Sequence, residues 1–503
     1  MLKRYFSMLR SEFSGYNLKS FSSDLMAGLT VTAVALPLAL AFGVSCGADA
    51  AAGLITAILA GIVIGALSGA SFQISGPTGA MSAVLVTIIA KFGLDGVFAV
   101  SFFAAILVLL CAVFKLGRFV SLIPRPVITG FTSGIALIIA LGQIDNFFGT
   151  SSVGEGAVQK LWCFLSGKAG TIDWRSLLIG LIVIAVMIVW PKKWNARVPS
   201  SLVGIIVATI VSILAGFDIA TVGEIPRKLF LEKRLSFSSI EWARIMEYLS
   251  PAVSIAALAM IESLLCGASA SRMKNEPFDA DQELIAQGIG NLLIPFFGGV
   301  PATAAIARTS VAIKSGAVTR LCGVIHALGL LASMFLLGPV MAKLPLSALA
   351  GVLMVTAWRM NEWHEIKSFF RGRLWSAVAK FAVTMIATVL FDLTIAILIG
   401  IGFSCLLFVI RCANFELETG KKDNDTLIIR VTGPLFFGNI GKFSRRFEQL
   451  TEGYSQVILN LRGVNAMDTS ALLTLKELVQ AKGISFEEPN EKVTAQLQKL
   501  NIV

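Results

Sequence analysis

Histidine is almost missing from this 503-residue chain, which has only His326 and His364. Its seven cysteines (Cys46, Cys111, Cys163, Cys266, Cys322, Cys405 and Cys412) are scattered, mostly within apolar stretches, and no Cys-x-x-Cys pair occurs. A zinc site needs clustered Cys and His, and a disulfide scaffold needs densely paired cysteines, so neither is expected. No nucleophile–base set or metal-ligand cluster can be picked out, which argues against an enzyme and against a bound cofactor. A leader signature is lacking as well. Lys3, Arg4 and Arg10 come early, but the first long apolar run starts only near Asp24, so it reads as a retained span.

What is present is apolar. A mean hydropathy of +0.80 and 56% hydrophobic residues place the chain among polytopic α-helical membrane proteins, with room for one small soluble domain. Fourteen hydrophobic segments can be read, at about 24–44, 51–69, 77–90, 96–114, 126–142, 174–190, 199–216, 251–270, 280–294, 301–313, 319–337, 346–358, 374–390 and 393–410. The net charge of +11 would suit nucleic acid, but the basic residues gather in alternate connections. These hold Lys115, Arg118 and Arg125; Lys192, Lys193 and Arg197; Arg272 and Lys274; Lys314 and Arg320; and Arg359, Lys367, Arg371 and Arg373. The positive-inside rule puts these loops and both termini in the cytoplasm of a bacterial inner (plasma) membrane, with no nucleic-acid partner. Only the connection 217–250, which mixes both signs, fits poorly.

Two segments share unusual punctuation: Ser75-Gly76-Pro77-Thr78-Gly79-Ala80 and Gly299-Val300-Pro301-Ala302-Thr303-Ala304. Each opens a helix too short to cross a bilayer alone. A helix that begins in mid-membrane leaves its first N–H groups unpaired at the positive end of its dipole, which favours an anion. Pro77 and Pro301 are 224 positions apart, and the span starts at Asp24 and Pro251 are 227 apart. Those offsets fit a repeat of seven segments. Seven is odd, so the second copy enters from the opposite side, and the inverted repeat sets the two half-helix starts face to face. The plainer alternative is two ordinary Gly/Pro loops between spans.

After Arg411 the composition changes. Residues 427–431 and 457–461 read as strands, while 443–450 and 470–480 read as helices. The organisation is therefore a cytoplasmic N-terminal segment (1–23), a transmembrane transport domain (24–411, repeats about 24–216 and 251–411) and a small cytoplasmic α/β domain (412–503).

Several stretches resemble the sulfate permease (SulP) family of anion transporters: Ile123-Pro124-Arg125-Pro126-Val127-Ile128-Thr129-Gly130-Phe131, Ile261-Glu262-Ser263-Leu264-Leu265, Gly298 to Pro301, and Ala307-Arg308-Thr309. Ser315-Gly316-Ala317-Val318-Thr319-Arg320 follows in the matching place. The tail resembles a STAS domain, with Met467-Asp468-Thr469-Ser470-Ala471 at its signature turn. The resemblance implies a seven-plus-seven inverted repeat shared with uracil permeases, divided into core and gate domains. It also implies homodimerisation, elevator-like movement of the core, and a possible cytoplasmic protein partner for the tail. Two departures stand out. Leu38, not Gln, follows Pro37 of the first span, and the tail is short between Gln480 and Glu491.

Glu262 is the sharpest single candidate. It lies eleven residues after Pro251, roughly 16 Å into a core about 30 Å thick. A carboxylate at that depth is costly and marks function by default. The family's acidic residue here is associated with cation coupling, while the bland reading is a structural hydrogen bond. Cys266, one turn on, is a soft ligand of little use to sodium, so the coupling ion is read as a proton, with sodium as the alternative.

For the anion, the candidates are the backbone N–H groups of Gly79, Ala80, Ala304 and Ala305, with Thr78, Thr303 and Gln73 as side-chain donors. Small residues there also serve helix packing. Phe42 is either an apolar wall of the site or an ordinary core aromatic. Arg308 attracts anions, pairs with Glu262, or snorkels. Ser470 matches the position phosphorylated in anti-sigma-factor antagonists, and the alternative is a helix cap. Asp24 and Asp392 read as caps or interface residues.

The leading expectation is proton-coupled symport of a small dicarboxylate such as fumarate or succinate. Sodium-coupled bicarbonate or sulfate transport is the alternative, together with an uncoupled exchanger or channel, a nucleobase carrier, or a sensor signalling through the tail.

Overall fold

The computed structural model describes residues 2–117, 123–152, 156–191, 194, 198–238, 240–391, 393–423, 425–487 and 491–499. Arg118, Lys192, Lys193, Arg197 and Asp392 lie outside the described residues. All fourteen hydrophobic segments fall on helices, and the helices follow in order. Helix α1 (Leu2–Glu12) lies in the N-terminal segment, and the first repeat runs from α2 (Leu18–Ser45) and α3 (Ala50–Leu59) to α4 (Gly79–Val113). It continues with α5 (Arg125–Gly142), α6 (Ile144–Phe148), α7 (Ala157–Leu165), α8 (Trp174–Val189) and α9 (Ser200–Leu214). The second has α10 (Ile245–Lys274), α11 (Ala280–Leu293), α12 (Ile306–Lys314) and α13 (Leu321–Met341). It closes with α14 (Leu346–Met360), α15 (Trp363–Arg371), α16 (Trp375–Leu390) and α17 (Leu393–Cys412).

Local chemistry sets these limits. Asn17 accepts from the amides of Lys19 and Ser20 to start α2, and Asp49 accepts from Ala52 to start α3. Gly93, at φ 69° and ψ −175°, divides α4 into the third and fourth segments, a backbone state open essentially to glycine alone. Leu214, Leu336 and Ile188 are 82%, 76% and 70% exposed. Such apolar outer faces belong against lipid, and the protein is an integral membrane protein.

By packing, α2, α3 and α4 join α10, α11 and α13 in one group, while α5, α8, α9, α14 and α16 form another. The first is the core and the second the gate. Inside the core two very short strands, β1 (Ser75–Gly76) and β2 (Thr303–Ala304), pair antiparallel, with Ser75 opposite Ala304 and Gly76 opposite Thr303. Each strand leads into its half-helix, α4 or α12, so the pairing brings the two helix starts together from opposite directions.

The chain divides into two compact units, Met1–Gly400 and Ile401–Val503. The second holds a sheet in the order β3 (Glu416–Asp423), β4 (Thr426–Thr432), β5 (Gln456–Gly463) and β6 (Ile484–Glu487). The first pair is antiparallel and the other two are parallel. Helices α18 (Ile440–Leu450), α19 (Thr469–Lys482) and α20 (Glu491–Lys499) complete it. Its core includes the fully buried Phe443, Phe447, Leu459 and Leu475. Despite the short interval after Gln480, β6 does form there, but with only four residues.

Candidate functional site: the crossing of the two half-helices

Each helix start is made by residues that cannot continue a helix backwards. Pro77 has no N–H, and Thr78, in extended conformation, caps α4 by accepting from Met81 N–H. Ala305, also extended, precedes α12. First-turn amides have no partner within the helix. At the α4 end these include Gly79 and Ala80, as expected.

At the α12 end the expectation needs correction. The Ala304 amide donates to Ser263 Oγ at 3.2 Å and the Ala305 amide to the Ile74 carbonyl at 2.9 Å. The first is held by α10 and the second by the chain entering β1, long-range contacts that local spacing does not encode. The first-turn donors there are Ile306, Ala307 and Arg308.

Glu262, on α10, joins the two starts. Its Oε2 accepts from Thr303 Oγ1 at 2.6 Å and from Thr78 Oγ1 at 2.8 Å, and the two hydroxyls lie 3.2 Å apart. Thr78 and Thr303 therefore donate to the carboxylate in this state, not outward to an anion. Gln73 is also corrected. Its Nε2 donates to the Ser263 carbonyl at 2.9 Å, which spends one of its two N–H groups within the core, and its Oε1 is buried and unpaired. An acceptor does not suit an anion.

Arg308 does not pair with Glu262; among the described residues no ion pair of Glu262 occurs. Instead Arg308 is 1% exposed, and its Nη2 donates to the Pro77 carbonyl at 2.7 Å. Its guanidinium lies so close to Gly76 that a Cβ there would sit 2.5 Å from Nη1. That Nη1 has no hydrogen-bond partner. Snorkelling is excluded by this burial, and the positive charge stands between the two half-helices. Phe42, 5% exposed, lies against the α4 start, where a Cβ on Gly79 would be 3.1 Å from its Cε1. The same Cβ would clash with Ile139 of α5, so Gly79 is where the core touches the gate.

Sequence reasoning did not foresee the supporting role of two neighbours, Ser263, considered only as a sodium ligand, and Thr309. Ser263 accepts from the Ala304 amide, and Thr309 Oγ1 accepts from the Ile74 amide at 3.0 Å and from Cys266 Sγ at 3.4 Å. Both lie in the stretches that carry the family resemblance, but only the fold shows what they hold. His326 is buried with both ring nitrogens unpartnered. Asp24 accepts from the amides of Val318 and Thr319, the Thr319 hydroxyl and the Tyr16 hydroxyl. In the second unit Asp468, not Ser470, caps α19 by accepting from the Ala471 amide, and Ser470 is exposed in the first turn.

A fully buried arginine, two helix starts and a bridged carboxylate meet at this crossing. The sulfate permease family pattern matches residues 21–388, and the STAS domain pattern matches 418–486. The chain is 35% identical over 484 residues to YvdB of Bacillus subtilis (strain 168), a candidate sulfate transporter by its name, covering 93% of this chain and 90% of that one. It is 29% identical over 499 residues to the bicarbonate transporter BicA of Picosynechococcus sp. (strain ATCC 27264 / PCC 7002 / PR-6), covering 92% and 87%. The solved transmembrane domain of a cyanobacterium bicarbonate transporter BicA superposes with a TM-score of 0.69 at 29% identity, covering 76% of this chain and 98% of that one.

Proposed function

The chain belongs to the sulfate permease family, and from that premise we propose that it is a secondary active transporter coupling proton entry to uptake of a small inorganic oxyanion, with sulfate first. The observation that carries the reading is the Glu262 carboxylate bridged by Thr78 and Thr303 at the crossing. An ionised Glu262 repels a dianion drawn there by Arg308 and the helix starts. A proton on Glu262 removes that repulsion, so anion and proton bind together.

The relatives named for a substrate move the reading from the dicarboxylate first expected to an oxyanion. Bicarbonate, supported by the likeness to BicA, is the second reading. With bicarbonate a proton is a poor partner, because together they make carbon dioxide, which crosses membranes unaided. Sodium would then be the coupling ion, with Glu262 and the two threonine oxygens as hard ligands.

In this reading the protein works in the bacterial inner membrane as a homodimer with both termini cytoplasmic, and the core moves against the gate. The test is uptake of labelled sulfate, bicarbonate and fumarate into proteoliposomes, with and without an inward proton gradient. Sulfate uptake stimulated by the gradient supports the reading. Bicarbonate uptake that needs sodium and ignores protons replaces it with the second.

A further inference from the structure

Helix α11 has three polar side chains at four-residue intervals, Glu283, Gln287 and Asn291, which therefore share one face. They are 0%, 0% and 5% exposed. A buried carboxylate and two buried amides are expensive in a membrane protein and call for partners.

The side chains of this stripe hydrogen-bond to the unwound backbone of the crossing, to the chain leading to it, and within α11 itself. Glu283 accepts from Ser68 Oγ at 2.6 Å, the Gly69 amide at 3.0 Å and Gln287 Nε2 at 2.8 Å. Gln287 Nε2 also donates to Ser75 Oγ, in β1, at 2.9 Å. Asn291 grips the residue before β2 with both ends of its amide. It accepts from the Ala302 amide at 2.7 Å and donates to the Ala302 carbonyl at 2.9 Å. Its Nδ2 also donates to the Gln287 carbonyl.

We propose that Glu283, Gln287 and Asn291 are positioning residues for anion transport: a rigid splint that holds β1 and β2 in register so that the two half-helix starts stay aimed at one ion. The inference rests on the proposed transport function, which supplies the ion. Short strands of two residues each cannot hold a register alone. The splint fixes one side of the crossing through Ser75 and the other through Ala302, from a single helix. Because an ion bound by several donors depends on all of them at once, a small loss of register weakens binding before it unfolds anything.

The test uses full-length protein and two variants. Glu283→Gln keeps one acceptor oxygen and sets an amide N–H group where the other accepted, against a donor of Gln287 or of Ser68 and Gly69. Asn291→Leu keeps the volume and removes both bonds to Ala302. Backbone hydrogen exchange is read first, without substrate. In both variants exchange over 73–81 and 301–307 should rise about tenfold, while α8 and α9 keep their wild-type protection. In proteoliposomes KM for labelled sulfate should rise about tenfold with the maximal rate within about twofold. The exchanged pair Glu283→Gln with Gln287→Glu restores a donor facing an acceptor, and should recover most of both losses.

Wild-type exchange at both stretches in folded variants overturns the inference. So does a rise spread over the whole membrane unit, or a lost rate with unchanged KM. If a single variant does not fold, Asn291→Asp, which keeps the acceptor and removes the donor, gives the same reading with a smaller expected shift. If wild-type protein moves none of the anions while the exchange result holds, the transport reading fails and the splint stands.

Discussion

Glu262 sits where two hydroxyls meet at the crossing of the half-helices, and its neighbours explain why glycine is needed beside it. A Cβ on Gly79 would overlap the end of Ile139 and press on Phe42. Gly79→Ala should therefore cost about 1–3 kcal/mol at the core–gate contact. The expected result is uptake reduced about tenfold in protein that still folds, with Ile139→Ala restoring much of it. Normal uptake by the single variant would mean that the contact is not made during transport.

At this scale the sequence was partly legible. Glu262 stood out through depth and charge, and Thr78 through the Pro-Thr-Gly turn. Ala304, Ala305 and Gln73 were misjudged because their partners, Ser263 and Ile74, are fixed only by folding.

At the scale of elements, helix α1 shows how a short amphipathic segment becomes part of the membrane unit. Glu12 accepts from Arg320 Nη2 at 2.7 Å, Nε at 2.9 Å and the Arg320 amide at 2.7 Å, while Tyr5 donates to the Ala66 carbonyl. The side chains of the pair are only 5% and 7% exposed. Removing one partner strands the other charge, so Glu12→Ala should destabilise the protein by about 3–5 kcal/mol. A clear fall in the thermal midpoint of the detergent-solubilised protein is the expected outcome, and an unchanged midpoint would contradict the clamp. The fourteen hydrophobic segments were legible because residues packed inside a membrane form nearly continuous apolar runs, even where a helix is too short to span. Helices α1, α6, α7 and α15 were not, since each is short and takes its stability from packing that periodicity does not reveal.

For the whole molecule, transport by movement of the core against the gate needs contacts that break. Gln143, after α5, donates to Ser45 at the end of α2 at 3.0 Å, joining gate to core. In a background without native cysteines, Ser45→Cys with Gln143→Cys should arrest uptake when oxidised and release it on reduction. Undiminished uptake by the cross-linked protein would contradict core movement at this contact. The inverted repeat was visible in the matching offsets of Pro77 and Pro301, whereas the splint behind it was not, because polar residues four apart on a helix look the same whether they face water or a partner.

The central claim is that a proton on Glu262 and an oxyanion between the half-helices travel together. Its most direct test is labelled sulfate uptake by wild type and Glu262→Gln across a range of inward proton gradients. The account predicts wild-type uptake that rises with the gradient and a variant whose residual uptake ignores it. A variant that still follows the gradient as wild type does would contradict the claim.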